Sequence, residues 1–121
     1  MDATESRRGE VVVLAPGAEV DVRAVPAFEA RVEKLLAAGT TAVVFDLTAV
    51  ELLPSTIAGF LVVAAGRVRG AGGRFAVAAP GRRIRATLTT LGLTAVLTVK
   101  DSLDAACAAV SRHPERGGNV P

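Results

Sequence analysis

The run Thr41–Leu47 (TAVVFDL) constrains this chain most. It is a near-continuous stretch of β-branched and apolar residues, without the polar alternation of a half-solvated strand. Such a run fits a strand buried on both faces, as in a parallel sheet. The flanking sequence supplies helices to cover it. Val25, Phe28, Val32, Leu35 and Leu36 fall at i, i+3, i+7, i+10 and i+11, which predicts a helix over Val25–Ala38 with Pro26 in its first turn and Gly39 at its end. Ser55–Arg69, Arg82–Thr90 and Asp101–Ser111 read as three more helices. Ile84, Leu88 and Leu91 share one side of the third, and Leu103, Ala106, Cys107 and Val110 face inward on the fourth. Further strands are expected at Glu10–Ala15, Ala18–Val22, Arg74–Ala79 and Thr94–Val99. Pro16-Gly17 marks a turn between the first two, which would pair as a hairpin at one edge. The order β-β-α-β-α-β-α-β-α predicts a single α/β domain over residues 10–111, with a mixed, mostly parallel sheet and helices packed on it. Residues 1–9 and 112–121 are expected to be flexible ends.

Composition narrows the function. The chain has 121 residues, enough for one modest core. Four Phe are its only aromatics, so Val, Leu, Ile and Ala must fill most of that core. Fourteen basic residues, 12 of them Arg, stand against 12 acidic ones, for a net charge of +2. That balance gives no dense basic face, and aromatic platforms for single strands are absent, so nucleic acid is not an expected partner. Met1–Glu10 is polar, with no apolar segment of a secretory signal behind it, and no apolar run approaches the roughly 18 residues of a membrane span. A cytoplasmic location without membrane insertion is the expectation. Cys107, alone among alanines, reads as a small buried residue, and a metal site or cofactor is not expected beside a lone His113.

Enzymatic chemistry finds little support. Asp21, Asp46 and Glu51 follow or end neighbouring strands and could converge, but no nucleophile elbow or phosphate-binding loop accompanies them. Gly70-Ala-Gly-Gly73 follows a helix and precedes a strand, the reverse of a phosphate cradle, so it reads as a helix stop. Arg82, Arg83 and Arg85 could clamp an anion; a solvated helix face is the plainer account.

The segment Leu52–Phe60 (LLPSTIAGF) carries more. It bridges the buried strand and the second helix, and puts Ser55 and Thr56 at a helix start. Two readings stay open there. A hydroxyl in this place can cap the helix, for about 1 kcal/mol. It can equally be phosphorylated, which adds roughly −1.5 to −2 charges beside the positive end of the helix dipole. The helix behind it is apolar on both sides: Ile57, Phe60, Leu61, Ala64, Ala65 and Val68 on one, Ala58, Gly59, Val62, Val63 and Gly66 on the other. Both sides cannot be buried in a thin domain, so the second is expected to dock another protein.

Four stretches together resemble the STAS family of anti-sigma-factor antagonists: Gly17-Ala-Glu-Val-Asp-Val22, Val43-Val-Phe-Asp-Leu-Thr48, Leu52–Leu61, and Gly72-Gly73-Arg74 followed by Pro80 and Leu91-Gly92-Leu93. The resemblance implies a non-catalytic binding module. Its partner would be an anti-sigma factor with a histidine-kinase-like ATPase fold, which phosphorylates the domain and so releases it, while a phosphatase reverses the change. The family's phosphorylated Ser matches Ser55, with Thr56 next in line, and the hairpin Asp near it matches Asp21. Pro54 stands where the motif has Asp, and Ile57 where it has its first Gly. The partner-binding surface implied is Asp21, Pro54, Ser55, Thr56, Ile57, Ala58, Gly59, Val62 and Val63. The same fold would also serve an accessory subunit of a transport complex, a stress-signalling scaffold without phosphorylation, or a homodimer.

Overall fold

The computed structural model describes residues 3–18, 20–78 and 80–111. Its elements are β1 (Ala3–Arg8), β2 (Val11–Pro16), α1 (Val25–Ala37), β3 (Ala42–Asp46), α2 (Ser55–Gly70), β4 (Arg74–Ala78), α3 (Arg82–Thr90), β5 (Val99–Lys100) and α4 (Leu103–Val110). Short 3-10 turns cover Val22–Ala24 and Leu93–Ala95. The five strands lie side by side in chain order; β1 runs antiparallel to β2, and every later neighbour is parallel.

That order decides where the helices go. Parallel strands stepping always in one direction, joined by right-handed crossovers, put every crossover helix on the same side. Accordingly α1, α2 and α3 share one face and one core with Val12, Leu14, Val43, Phe45, Phe75 and Val77. Only α4, which follows the last strand, is free to cross over. It covers the other face, where Ala106, Cys107 and Val110 meet Val11, Val13, Ala42, Val44, Ala76 and Ala78.

Strand alternation sorts side chains by size between the two faces. The register aligns Leu14, Phe45 and Val77 in one row and Val12, Val43 and Phe75 in the next, all toward the three-helix side. The row Val13, Val44 and Ala76 faces α4. All four Phe collect on the three-helix side around Phe45, whose ring centroid lies 5.5, 5.6 and 5.7 Å from those of Phe28, Phe60 and Phe75. These are edge-to-face and tilted contacts of the kind aromatic quadrupoles favour. No polar or charged residue is buried among the described residues.

The Gly70–Gly73 stretch is the helix stop its position predicts. Gly72 takes φ 86°; its N–H reaches Arg69 O at 2.9 Å, and Gly73 N–H reaches Val68 O at 2.8 Å. This pair of bonds ends a helix on a left-handed residue, which glycine adopts without penalty. Gly73 answers to space instead. A Cβ there would lie 2.7 Å from Thr41 O and 2.9 Å from Val68 Cγ1, where α2 turns back beside β3.

Three local expectations are corrected. The edge hairpin is built from β1 and β2, one element earlier than the sequence suggested, so residues 3–8 are a strand and not a flexible end. Periodicity cannot find β1, because Thr4 through Arg8 are all exposed and the strand is held by its ladder to buried β2. Gly9, at φ 62°, supplies the left-handed first position of the two-residue turn. The described residues of the strand expected over Ala18–Val22 do not form one: Asp21 accepts a hydrogen bond from Arg23 N–H at 2.9 Å and opens a 3-10 turn, leaving Val20 buried and Val22 exposed. The strand expected over Thr94–Val99 shrinks to Val99–Lys100 behind a turn entered from Gly92 (φ 75°), which also leaves Leu91 exposed rather than inward. The C-terminal tail expected over 112–121 and His113 lie outside the described residues.

Gly73→Ala should lower stability by about 1–3 kcal/mol, the usual cost of forcing atoms into a filled site. Chemical denaturation checks this, with a fall in the midpoint at unchanged slope.

Candidate functional site

The connection after β3 leads to α2 by way of a local lock. The Asp46 carboxylate accepts from Thr48 N–H at 3.0 Å and from the Thr48 hydroxyl, which turns the chain as soon as the strand ends. Leu47, Val50 and Leu53 then bury, while Leu52 stays 63% exposed. The backbone of Glu51 donates to Ala18 O at 3.4 Å, tying this connection to the loop that carries Asp21. Thus Asp21 and the start of α2 sit on connected loops at one end of the sheet.

At the helix start, Pro54 occupies the N-cap with extended backbone (φ −60°, ψ 148°) and offers no side-chain hydrogen bond. Its carbonyl accepts from both Ile57 and Ala58 N–H at 3.0 Å. Ser55 and Thr56 are therefore the first and second residues inside the helix, both exposed. Neither hydroxyl makes a hydrogen bond among the described residues. The capping account is set aside by this geometry, since the cap position belongs to proline. No acidic residue stands in the first turn of α2 either. The positive end of a 16-residue helix thus has no acidic side chain in its own first turn, only two exposed hydroxyls.

Along the helix the two faces separate cleanly. Ile57, Phe60, Leu61, Ala64, Ala65 and Val68 are buried as expected. Ala58 departs from its expected place on the outer face and is only 2% exposed. It lies three residues before Leu61 and seven before Ala65, so helical geometry puts it on their stripe. Ile57 is buried to the same degree. Both belong to the core, and neither offers a docking surface. Over the first three turns, what remains outside is Ser55, Thr56, Gly59, Val62, Val63 and Gly66, with Val62 and Val63 among the few large apolar residues left exposed; Arg67 and Arg69 are exposed in the last turn.

Gly59 and Gly66 have no internal reason to be glycine. A Cβ at either would meet nothing within 4 Å, and neither has positive φ. Mid-helix glycine lowers stability by about 0.5–1 kcal/mol relative to alanine. Two such positions on one face leave a shallow surface on which another backbone could come close.

The remaining candidates do not gather into a reaction centre. Asp21 is held by Arg23, whose guanidinium and backbone N–H bind its carboxylate and keep its carboxyl below the usual range. Asp46 is taken up by Thr48. Among the described residues no three His, Cys, Asp or Glu side chains come together as metal ligands. Arg85 pairs with Asp101 at 2.5 Å, so the three arginines of α3 do not converge on one point. Cys107 is buried against the sheet, and burial pushes its thiol up. No helix among the described residues is long and apolar enough to cross a membrane.

Comparison with known proteins agrees with this architecture. Residues 3–106 match the model of the STAS domain. The chain belongs to the STAS domain family. Similar solved structures include an anti-sigma factor antagonist from Mycobacterium paratuberculosis, 28% identical, with a TM-score of 0.79 over 90% of this chain and 92% of that one. A STAS domain anti-sigma-factor antagonist from Planctomyces limnophilus is 22% identical, with a TM-score of 0.71 over 91% and 98%. The Bacillus cell fate determinant SpoIIAA in its phosphorylated form is 18% identical, with a TM-score of 0.70 over 91% and 100%. No curated protein matches the sequence. The STAS match starts at residue 3, so it takes in β1, the strand that apolar periodicity could not reveal.

Gly59→Ala and Gly66→Ala should each stabilise the isolated protein by about 0.5–1 kcal/mol. Thermal or urea unfolding reads this directly, and a loss of stability would show that the two positions are packed after all.

Proposed function

We propose that this protein is an anti-sigma-factor antagonist whose binding is switched off by phosphorylation of Ser55. The observation that carries the reading is the free, exposed Ser55 hydroxyl at the first position of α2, behind a proline cap and without an acidic neighbour in that turn. A phosphate there would meet the unfilled N–H groups and the positive pole of the helix, so the fold bears it easily. The same phosphate would place about two negative charges at the head of the apolar face formed by Gly59, Val62, Val63 and Gly66. A partner that docks on an apolar, close-fitting surface would lose affinity by desolvation and repulsion while the domain stays folded.

The partner proposed is an anti-sigma factor with a histidine-kinase-like ATPase fold that acts as the serine kinase, with a phosphatase restoring the binding form, all in the cytoplasm of a bacterium. Family membership and the names of the similar structures support this reading, among them SpoIIAA, whose phosphorylated and unphosphorylated forms share this fold. Pro54 suits the role chemically, because it fixes the backbone entering α2 and cannot compete for the hydroxyl beside it. Asp21 supports the site from the neighbouring loop, and its pairing with Arg23 moderates the negative charge it adds there.

Incubation with ATP and the cognate kinase should add one phosphate by intact mass. Ser55→Ala should abolish it, and Thr56→Ala should retain it. Ser55→Asp should weaken partner binding at least about tenfold, or ~1.4 kcal/mol, in a titration. Recovery of a transport ATPase and no kinase on the immobilised full chain would overturn the reading.

A further inference from the structure

The sheet ends at β1, and this edge has a property that its exposed, polar sequence hides. Edge strands are usually blunted by charge, since an open row of backbone groups invites pairing. Here the charges are placed so that they oppose some pairings and favour one.

The two-residue turn at Gly9-Glu10 closes on the pair Arg8–Val11. A turn of this length closes on a pair that exchanges both backbone hydrogen bonds, and such pairs alternate along the ladder. Thr4, Ser6 and Arg8 therefore spend their backbone groups on β2, while Glu5 and Arg7 turn theirs outward. The side chains alternate too. Arg8 reaches Asp104 of α4 on one face, and Glu5 reaches Arg31 of α1 at 3.1 Å on the other. Arg7, opposite Val12, lies on the Glu5 side and has no ion-pair partner among the described residues.

Now let two copies meet edge to edge about a two-fold axis. Only registers that match the outward-facing residues make hydrogen bonds, so allowed registers differ by steps of two. One step puts Glu5 opposite Glu5 of the partner subunit, and another puts Arg7 opposite Arg7 of the partner subunit; both set like charges directly against each other. The register between them has its axis at Ser6. There Glu5 faces the partner's Arg7, and Arg7 faces the partner's Glu5. It pairs residues 4–8, as many as the Glu5-centred register and more than the Arg7-centred one, so charge decides between them.

We infer that two copies of this chain associate through β1 in this register, joining their sheets into one continuous ten-stranded sheet. The ten follow from the five strands in each copy. The inference is independent of the partner-switch reading, because β1 lies at the sheet edge and its test needs no other protein. A single short strand offers less than the roughly 1,000 Å² of a stable interface, so the dimer is a weak one. Opposite charges held on an exposed edge also make it sensitive to salt.

Sedimentation of the full chain, with no added N-terminal residues, at concentrations up to about 1 mM in low salt tests it. Wild type should dimerise reversibly, and less so as salt rises. Glu5→Arg and Arg7→Glu should each weaken association about tenfold or more, since each opposes like charges. An equimolar mixture of these two variants should recover dimers, and so should E5R/R7E, because both restore opposite charges across the axis. Circular dichroism and the unfolding midpoint of each variant establish that it is folded. A wild type that stays monomeric to 1 mM overturns the inference. So does a dimer that ignores the single substitutions, or single variants that the mixture fails to rescue.

Discussion

The packing of Phe45 is the interaction on which most of this structure depends. It stands on the central strand and touches the other three phenyl rings, which come from α1, α2 and β4. In a chain whose only aromatics are four Phe, that cluster supplies the bulk filling the space between sheet and helices. The same alternation that sends Phe45 one way sends Ala42 and Val44 the other, where small residues let α4 lie close. One side of the sheet is thick and the other thin, and the division follows from which residues stand at odd and even places on β3 and β4.

The thick layer fixes the candidate site. Phe60 anchors α2 against Phe28 and Phe45, while Ile57, Ala58 and Leu61 seat its first turns. The helix start is therefore held rigidly, although its first two side chains are exposed and make no hydrogen bond among the described residues. A rigid base beneath free hydroxyls lets one added group change the surface without loosening the core. The first three turns of α2 differ in kind from α1 and α3, which carry charged residues such as Glu29, Glu33, Arg82 and Arg83; the charges of α2, Arg67 and Arg69, stand only in its last turn. Only α2 presents glycines and valines to solvent.

How much of this could be read in the sequence follows from where the information sits. β3, β4, α1, α2 and α3 were legible because each buries a whole stripe or run, and burial is what periodicity reports. β1 was not, because it contributes a ladder and two ion pairs while Thr4–Arg8 give no side chain to the core. Its one signal was the glycine of a two-residue turn. Val20 and Val22 imitated a strand, and the aspartate between them settled the matter by capping a turn. At the site, the segment Leu52–Phe60 and the exposure of Ser55 followed from its place before an apolar helix. Two details did not. Which residue takes the cap depends on Pro54 backbone angles, and which face holds Ala58 depends on a phase of the helix that an all-apolar sequence leaves undefined.

The order of strands in the sheet has a consequence for how the molecule is made. Because spatial order equals chain order, each strand and its helix can dock on a neighbour that has already left the ribosome, and few contacts need wait for distant sequence. One surface is the exception. Val11, Val13, Val44 and Ala76 are covered by α4, the last helix described, so their face of the sheet stays bare until α4 has been made. A nascent chain of this kind is vulnerable on its thin side until that helix arrives. Keeping that side small and almost free of large apolar groups limits what it could stick to in the meantime.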